Sequence, residues 1–131
     1  MKIGVIYGGM SSEHEVSIMS GKNVLDNLDN KKYDIYPIFI DKQGKWYINN
    51  KEIKNVVEEL KKMDVVFPVL HGLYGEDGTI QGMLKLLKIP YVGCGVLSSS
   101  ICMDKVYTKC ILEKANIRQA KYIYIKNENI Y

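Results

Sequence analysis

Two apolar runs, residues 2–7 and 65–70, each open straight into a glycine-rich loop that carries carboxylates and leads on into a segment of helical spacing. No other feature constrains the fold as much. Strands joined through helices run parallel, and such crossovers place their loops at one end of the sheet. Ligand sites of such sheets lie at the carboxyl ends of the strands. Both glycine-rich loops, after Tyr7 and after Leu70, fall at that end.

The rest of the chain fits the same alternation. Ser12 with Glu15 three residues on has the form of a capping box, so a helix is expected to begin there, with Val16, Met19, Leu25 and Leu28 as its apolar positions. A second strand is expected over residues 33–40, and its Pro37 points to an edge or a local irregularity. Turn residues 41–45 suggest a hairpin return at residues 46–48. Helices are expected over residues 52–63, over 79–87 with Ile80, Met83, Leu84 and Leu87 inward, and over 101–114 behind three serine N-caps. Residues 89–93 read as a short strand, and 121–125 as a strand with no partner. The expected class is α/β, with a mainly parallel sheet flanked by helices on both faces.

Composition closes off several functions. Hydrophobic residues make up 47% of the 131, enough for a real core. Net charge is only +3, and of 18 basic residues Arg118 alone is arginine. Readers of phosphate and guanine favour arginine, so no nucleic-acid partner is expected. No run nears the ~20 apolar residues that cross a bilayer. Met1-Lys2 passes directly into the first strand without a signal-peptide core, so the chain reads as cytoplasmic, with no membrane partner. Cys94, Cys102 and Cys110 are too far apart for paired zinc ligands and read as reduced thiols.

The two loops hold the residues capable of chemistry. Gly8-Gly9 permits a sharp turn and close approach of a ligand, but the loop is neither G-x-G-x-x-G nor a P-loop. Glu13 and Glu15 would repel a phosphate and suit an ammonium, or they merely favour a helix N-terminus. Glu15 is assigned the helix-capping role; the residue pattern leaves Glu13 open between the two. His71 follows a buried strand at the ligand edge, where a structural and a catalytic role are equally plausible. A His71-Glu76-Asp77 metal site is weakly supported. Lys105 and Lys109 share a helix face, and spacing alone makes them a solvated face with Glu113 pairing Lys109.

Taken together, these motifs are recognisable. Gly8-Gly9-Met10-Ser11-Ser12-Glu13-His14-Glu15-Val16-Ser17 resembles the N-terminal signature of D-alanine–D-alanine ligases. Leu70-His71-Gly72-Leu73-Tyr74-Gly75-Glu76-Asp77-Gly78-Thr79-Ile80-Gln81-Gly82 resembles that family's second signature. Pro90 to Val96, through Met103-Asp104-Lys105, resembles the stretch leading into its ATP-grasp region. The three motifs keep the family's order and spacing, and the resemblance covers nearly the whole chain.

The resemblance implies a Rossmann-like pre-ATP-grasp domain over residues 1–96, which binds substrate. Residues 97–131 would be a linking helix and the start of the ATP-grasp domain. It implies an enzyme that joins two D-alanines with ATP and Mg2+ for peptidoglycan synthesis, through an acyl phosphate of the first D-alanine. Glu13 would hold the ammonium of that D-alanine, Val16 would line its subsite, and His71 would stand near the reacting carboxylate. Glu13 and His71 are the implied catalytic pair; Lys105 would reach an ATP phosphate, and Glu76 would support the loop. A homodimer is also implied. In the family the magnesium carboxylates, the rest of the nucleotide clamp and the closing loop come later than Tyr131, so residues 1–131 alone are expected to turn nothing over. Residues 121–125, unpaired, are expected to be disordered or to pair with a second copy.

Two other readings compete. One is a stand-alone binding module of flavodoxin-like or receiver-like shape, which fold alone does not separate from a ligase domain; its receiver version fails, because that needs an acidic cluster at the end of the first strand, where Tyr7-Gly8-Gly9 stands instead. A ligase adding D-lactate or D-serine second is the nearer rival.

Overall fold

A computed structural model describes residues 1–125. Its five-stranded sheet has the order β4-β3-β2-β1-β5. Strand β1 (Lys2–Gly8) is central and pairs in parallel with β2 (Asp34–Ile40) and β5 (Val65–Pro68). Strands β3 (Trp46–Ile48) and β4 (Lys51–Glu52) add antiparallel to β2. The sheet is therefore mixed: the expected parallel arrangement holds for β1, β2 and β5 but not for the hairpin edge. The short strand expected at 89–93 reduces to one bridge, Tyr91 against Val66.

Pro37 lies in an interior strand, not at an edge. Its ladder partner on β1 is Val5. Pairing of β2 with β3 starts only at Ile38, and Pro37 contributes its carbonyl to the Asn49 N–H beyond that ladder. The missing N–H thus falls where the neighbouring strand has ended.

The helix expected from residue 52 begins later, as α2 (Val56–Leu60). Asn49 and Asn50 both take positive φ, 50° and 63°, the geometry of a type I′ two-residue turn. That turn draws residues 51–52 into β4. Asn55 then caps α2, its side chain accepting the Glu58 N–H.

Helix α1 (His14–Asn27) lies on β1 with an unexpected face. Its buried residues are His14, Ser17 and Gly21, while Val16 and Met19 are exposed. A Cβ on Gly21 would stand 2.5 Å from Tyr7 Cβ, so only glycine admits this approach. The capping box does not form either. Ser12 makes no cap, and Glu15 pairs with Lys42 at 3.0 Å instead. That hydrogen-bonded lysine, with its charge, lowers the Glu15 pKa.

Strand alternation puts Gly4 and Ile6 on the sheet face opposite Tyr7. There Ile6, Ile38, Leu60, Val66, Ile80 and Leu84 form the core. Ile80 and Leu84 come from α3 (Thr79–Leu86), whose inward face is the expected one, with Met83 and Leu87 packed beside them. Helices therefore cover the sheet from both sides.

The single long helix expected over 101–114 is two: α4 (Val96–Met103) and α5 (Lys105–Lys114). Asp104 separates them in an extended conformation, its carboxylate accepting the Val106 and Tyr107 N–H groups at 2.9 and 3.1 Å. The serines expected as caps lie inside α4 instead. Residues 121–125 form no strand, and all five are exposed. Lys109 does not pair with Glu113 but lies 4.7 Å from the centre of the Tyr122 ring.

Ser17 Oγ, fully buried, accepts the Gly8 N–H at 2.9 Å and donates to the Val69 carbonyl at 2.6 Å. Ser17→Ala would strand both groups, and the expected loss is about 1–3 kcal/mol. Denaturant unfolding checks this; an unchanged midpoint would show that neither bond matters to stability.

Candidate active site

The two signature loops leave adjacent parallel strands, and side chains stitch them together. Gly8 turns the chain at φ +91°, where a Cβ would lie 2.2 Å from the Ile40 carbonyl oxygen. Ser11 then spans the gap. Its hydroxyl accepts the Glu13 N–H at 3.1 Å and donates to the His71 carbonyl at 2.7 Å. This tertiary bond explains why the first turn of α1 is set by Ser11 and not by a local capping box. His14, buried, hydrogen-bonds the Gly9 carbonyl through Nδ1 and meets the Phe39 ring edge-on, so it is structural.

The second loop is held from within. Glu76 Oε2 accepts the Gly72 N–H at 2.6 Å. Buried Gln81 donates from Nε2 to the Gly75 carbonyl at 2.9 Å. Asp77 accepts the N–H groups of Tyr74 and Thr79, both at 2.9 Å. Ser100 of α4 donates to the Asp77 carbonyl, joining α4 to the same loop.

This scaffold brings Glu13, His71 and Glu76 together, with ligand atoms all within 4.8 Å of one another. Asp77, weighed from sequence as a partner of His71, is instead committed to the turn. The three groups are not equivalent. Glu76 is committed to Gly72, and His71 Nε2 lies 3.0 Å from Ser20 Oγ. The Glu13 carboxylate makes no hydrogen bond or ion pair among the described residues. It lies over Gly72, where a Cβ would be 3.4 Å from its Oε1. A histidine in the set does not suit magnesium, which takes oxygen ligands and water. One free, exposed carboxylate suits an ammonium group.

Val16 is exposed on α1, one turn beyond Glu13, and four residues before Ser20 on the same helix face. Lys105 opens α5, exposed, and makes no hydrogen bond or ion pair with the cluster among the described residues. A separate cavity of about 200 Å³ lies beside the cluster, lined chiefly by Met10, Ile40, Trp46, Leu70 and Met83, with His71 at its wall. Its lining is apolar and includes neither Glu13 nor Glu76, so it does not match a zwitterion. Ser11, Ser17 and Ser20 were not singled out from sequence. The i, i+4 pairing of small Ser17 with Gly21 was the available sign of a close helix–strand contact.

Residues 2–58 and 49–94 match the family model described as D-ala D-ala ligase N-terminus. The chain belongs to that family. The D-alanine–D-alanine ligase of Clostridium novyi (strain NT) is 49% identical to it, over 95% of this chain and 41% of the relative. The chain thus spans about two fifths of the length of the curated relatives it matches. Among solved structures, the VanG D-Ala:D-Ser ligase from Enterococcus faecalis superposes with a TM-score of 0.82 at 39% identity, over 92% of this chain and 43% of that one. The D-alanine–D-alanine ligase from Bacillus anthracis complexed with ATP gives 0.77 at 42% identity, over 98% and 43%. The sewn loops are accordingly a feature of a ligase N-terminal domain. No described helix is long and apolar enough to cross a membrane.

Asp77 links this loop to pH. Burial is the largest single influence and pushes its pKa up, but hydrogen bonds from Thr79 and Tyr74 together hold it below the ordinary value. A carboxyl whose pKa falls on folding stabilises the fold above its unfolded pKa, and that contribution is lost as pH falls through the folded one. Asp77→Asn is therefore expected to be less stable than the parent at neutral pH. The gap should close below about pH 3.9, where aspartates ordinarily protonate. Thermal unfolding across that range checks it, and a gap independent of pH would contradict it.

Proposed function

We propose that this domain holds the first D-alanine in an ATP-dependent D-alanine–D-alanine ligase of peptidoglycan synthesis, a cytoplasmic enzyme. One observation carries the reading: within the Glu13–His71–Glu76 cluster, Glu13 is the one carboxylate left without a partner. An amino acid's ammonium would complete it. Glu13 also flanks the N-terminus of α1, whose free N–H groups favour negative charge nearby, so the substrate carboxylate is tolerated beside it. Val16 would border the methyl group. His71 would stand at the reacting carboxylate, and Glu76 would keep the loop in shape through Gly72.

ATP, bound with magnesium, would supply the phosphoryl group that activates the substrate carboxylate. Lys105, at the opening turn of α5 and free of partners among the described residues, fits a phosphate contact. The magnesium carboxylates would lie in parts of the relatives that this chain does not cover. The boundary at residue 96 follows the same division, with the substrate cluster before it and Lys105 after it. A homodimer belongs to the reading and is supported by the family resemblance. D-alanine as second substrate is supported by the names of the curated relatives, and D-serine by the VanG neighbour.

The test is ADP release by the full-length gene product with D-alanine, L-alanine or D-serine added. Release is expected with D- but not L-alanine, and none from residues 1–131 alone. Glu13→Gln is expected to lower kcat/KM for D-alanine by at least tenfold, in keeping with loss of a charge-assisted hydrogen bond. Equal turnover of the two alanine enantiomers, or a fully active Glu13 variant, would overturn the reading.

A further inference from the structure

We propose that Ser20 is the positioning residue for His71, its hydroxyl donating to Nε2 and so fixing both the aim and the tautomer of the ring. The inference rests on the substrate-site reading above and deepens it.

His71 stands on coil just past β5, where nothing in the secondary structure sets its side-chain torsions. Its backbone is tied through the carbonyl to Ser11. That bond leaves the imidazole free to swing. Among the described residues the ring makes one hydrogen bond, the 3.0 Å contact of Nε2 with Ser20 Oγ. Ser20 projects from α1, a helix anchored to the sheet through Ser17 and Gly21. A rigid element thus holds the side chain by its tip.

The direction of that bond follows from where the hydroxyl proton can go. Serines and threonines inside helices commonly donate to the carbonyl four residues back. Ser20 makes no such bond to Val16 and no other hydrogen bond among the described residues. Among the described residues Nε2 is the one acceptor within reach of its proton, and in accepting it Nε2 is the unprotonated nitrogen. The ring proton then resides on Nδ1, leaving that nitrogen as a donor. A ring fixed this way offers its Nδ1–H to a substrate carboxylate near it. The alternative tautomer would turn two N–H and O–H donors towards each other unless Ser20 found another acceptor. Thus the hydroxyl decides which ring nitrogen can serve the substrate.

The experiment uses the full-length gene product and the variants Ser20→Ala, Ser20→Thr, His71→Ala and Ser20→Ala/His71→Ala. Ser20→Ala is expected to lower kcat/KM for D-alanine about fivefold, the size of one neutral hydrogen bond. The KM for ATP and the unfolding midpoint should not move. Ser20→Thr, which keeps the hydroxyl, should restore activity. In the His71→Ala background the serine substitution should cost nothing more. Nitrogen-15 spectra of the histidines should show His71 protonated at Nδ1 in the parent and shifted towards the Nε2-protonated form in Ser20→Ala. An equal loss from Ser20→Ala with and without His71, or no loss at all, would overturn the proposal. So would a His71 protonated at Nε2 in the parent. A His71→Ala protein with full activity would sink the substrate-site reading, and the spectra would still decide whether Ser20 sets the ring.

Discussion

The Ser17 hydroxyl joins the ends of β1 and β5 to helix α1, and both signature loops start from that point. It takes the Gly8 N–H and gives its proton to the Val69 carbonyl in a position with no access to water. Gly21 lets the helix settle against Tyr7 so that the hydroxyl can reach both strands. The N-terminus of α1, the Gly8-Gly9 turn and the His71 loop thereby keep a fixed relation. A larger residue at position 21 would lift the helix and part the two loops together. The precision of the site is thus set by a small polar contact beneath it, not by the apolar core on the other face of the sheet.

Above that anchor the polar groups divide their tasks. Serines sew one loop to the other, Ser11 at the backbone of His71 and Ser20 at its ring. Glu76 and Asp77 satisfy N–H groups of their own loop and so shape it. Of the carboxylates at the cluster, Glu13 alone keeps its charge uncommitted. A cluster in which every carboxylate was internally satisfied would be a structural network. One left open beside a helix N-terminus suits a zwitterion, because an ammonium and a carboxylate would then each find the opposite charge.

Much of this could be read from the sequence where local pattern and tertiary demand agree. The first strand, the strand leading to His71, the β2–β3 hairpin and the inward face of α3 follow from apolar periodicity and turn residues. The loops were placed correctly because parallel strands leave few choices. Expectations failed where a distant contact outbid a local one. Ser11 is bound to His71, so the box from Ser12 to Glu15 never closes, and Glu15 turns to Lys42. The inward face of α1 is small and polar, so apolar periodicity pointed to Val16 and Met19, which are exposed. The Asn49-Asn50 hairpin delayed to Val56 the helix expected from residue 52, and Asp104 broke another helix by capping its second half. At the site, sequence named Glu13, His71 and Glu76. It missed Ser20, whose link to His71 spans 51 residues and leaves no local trace.

The claim at the centre is that the uncommitted carboxylate of Glu13 receives the ammonium of D-alanine. A crystal structure of the full-length gene product with D-alanine and a non-hydrolysable ATP analogue tests it most directly. The account predicts the amino nitrogen within about 3 Å of the Glu13 carboxylate, a charge-assisted hydrogen bond. His71 should lie beside the substrate carboxylate. Finding the amino group held elsewhere, with Glu13 turned to solvent or bound to a metal ion, would contradict it.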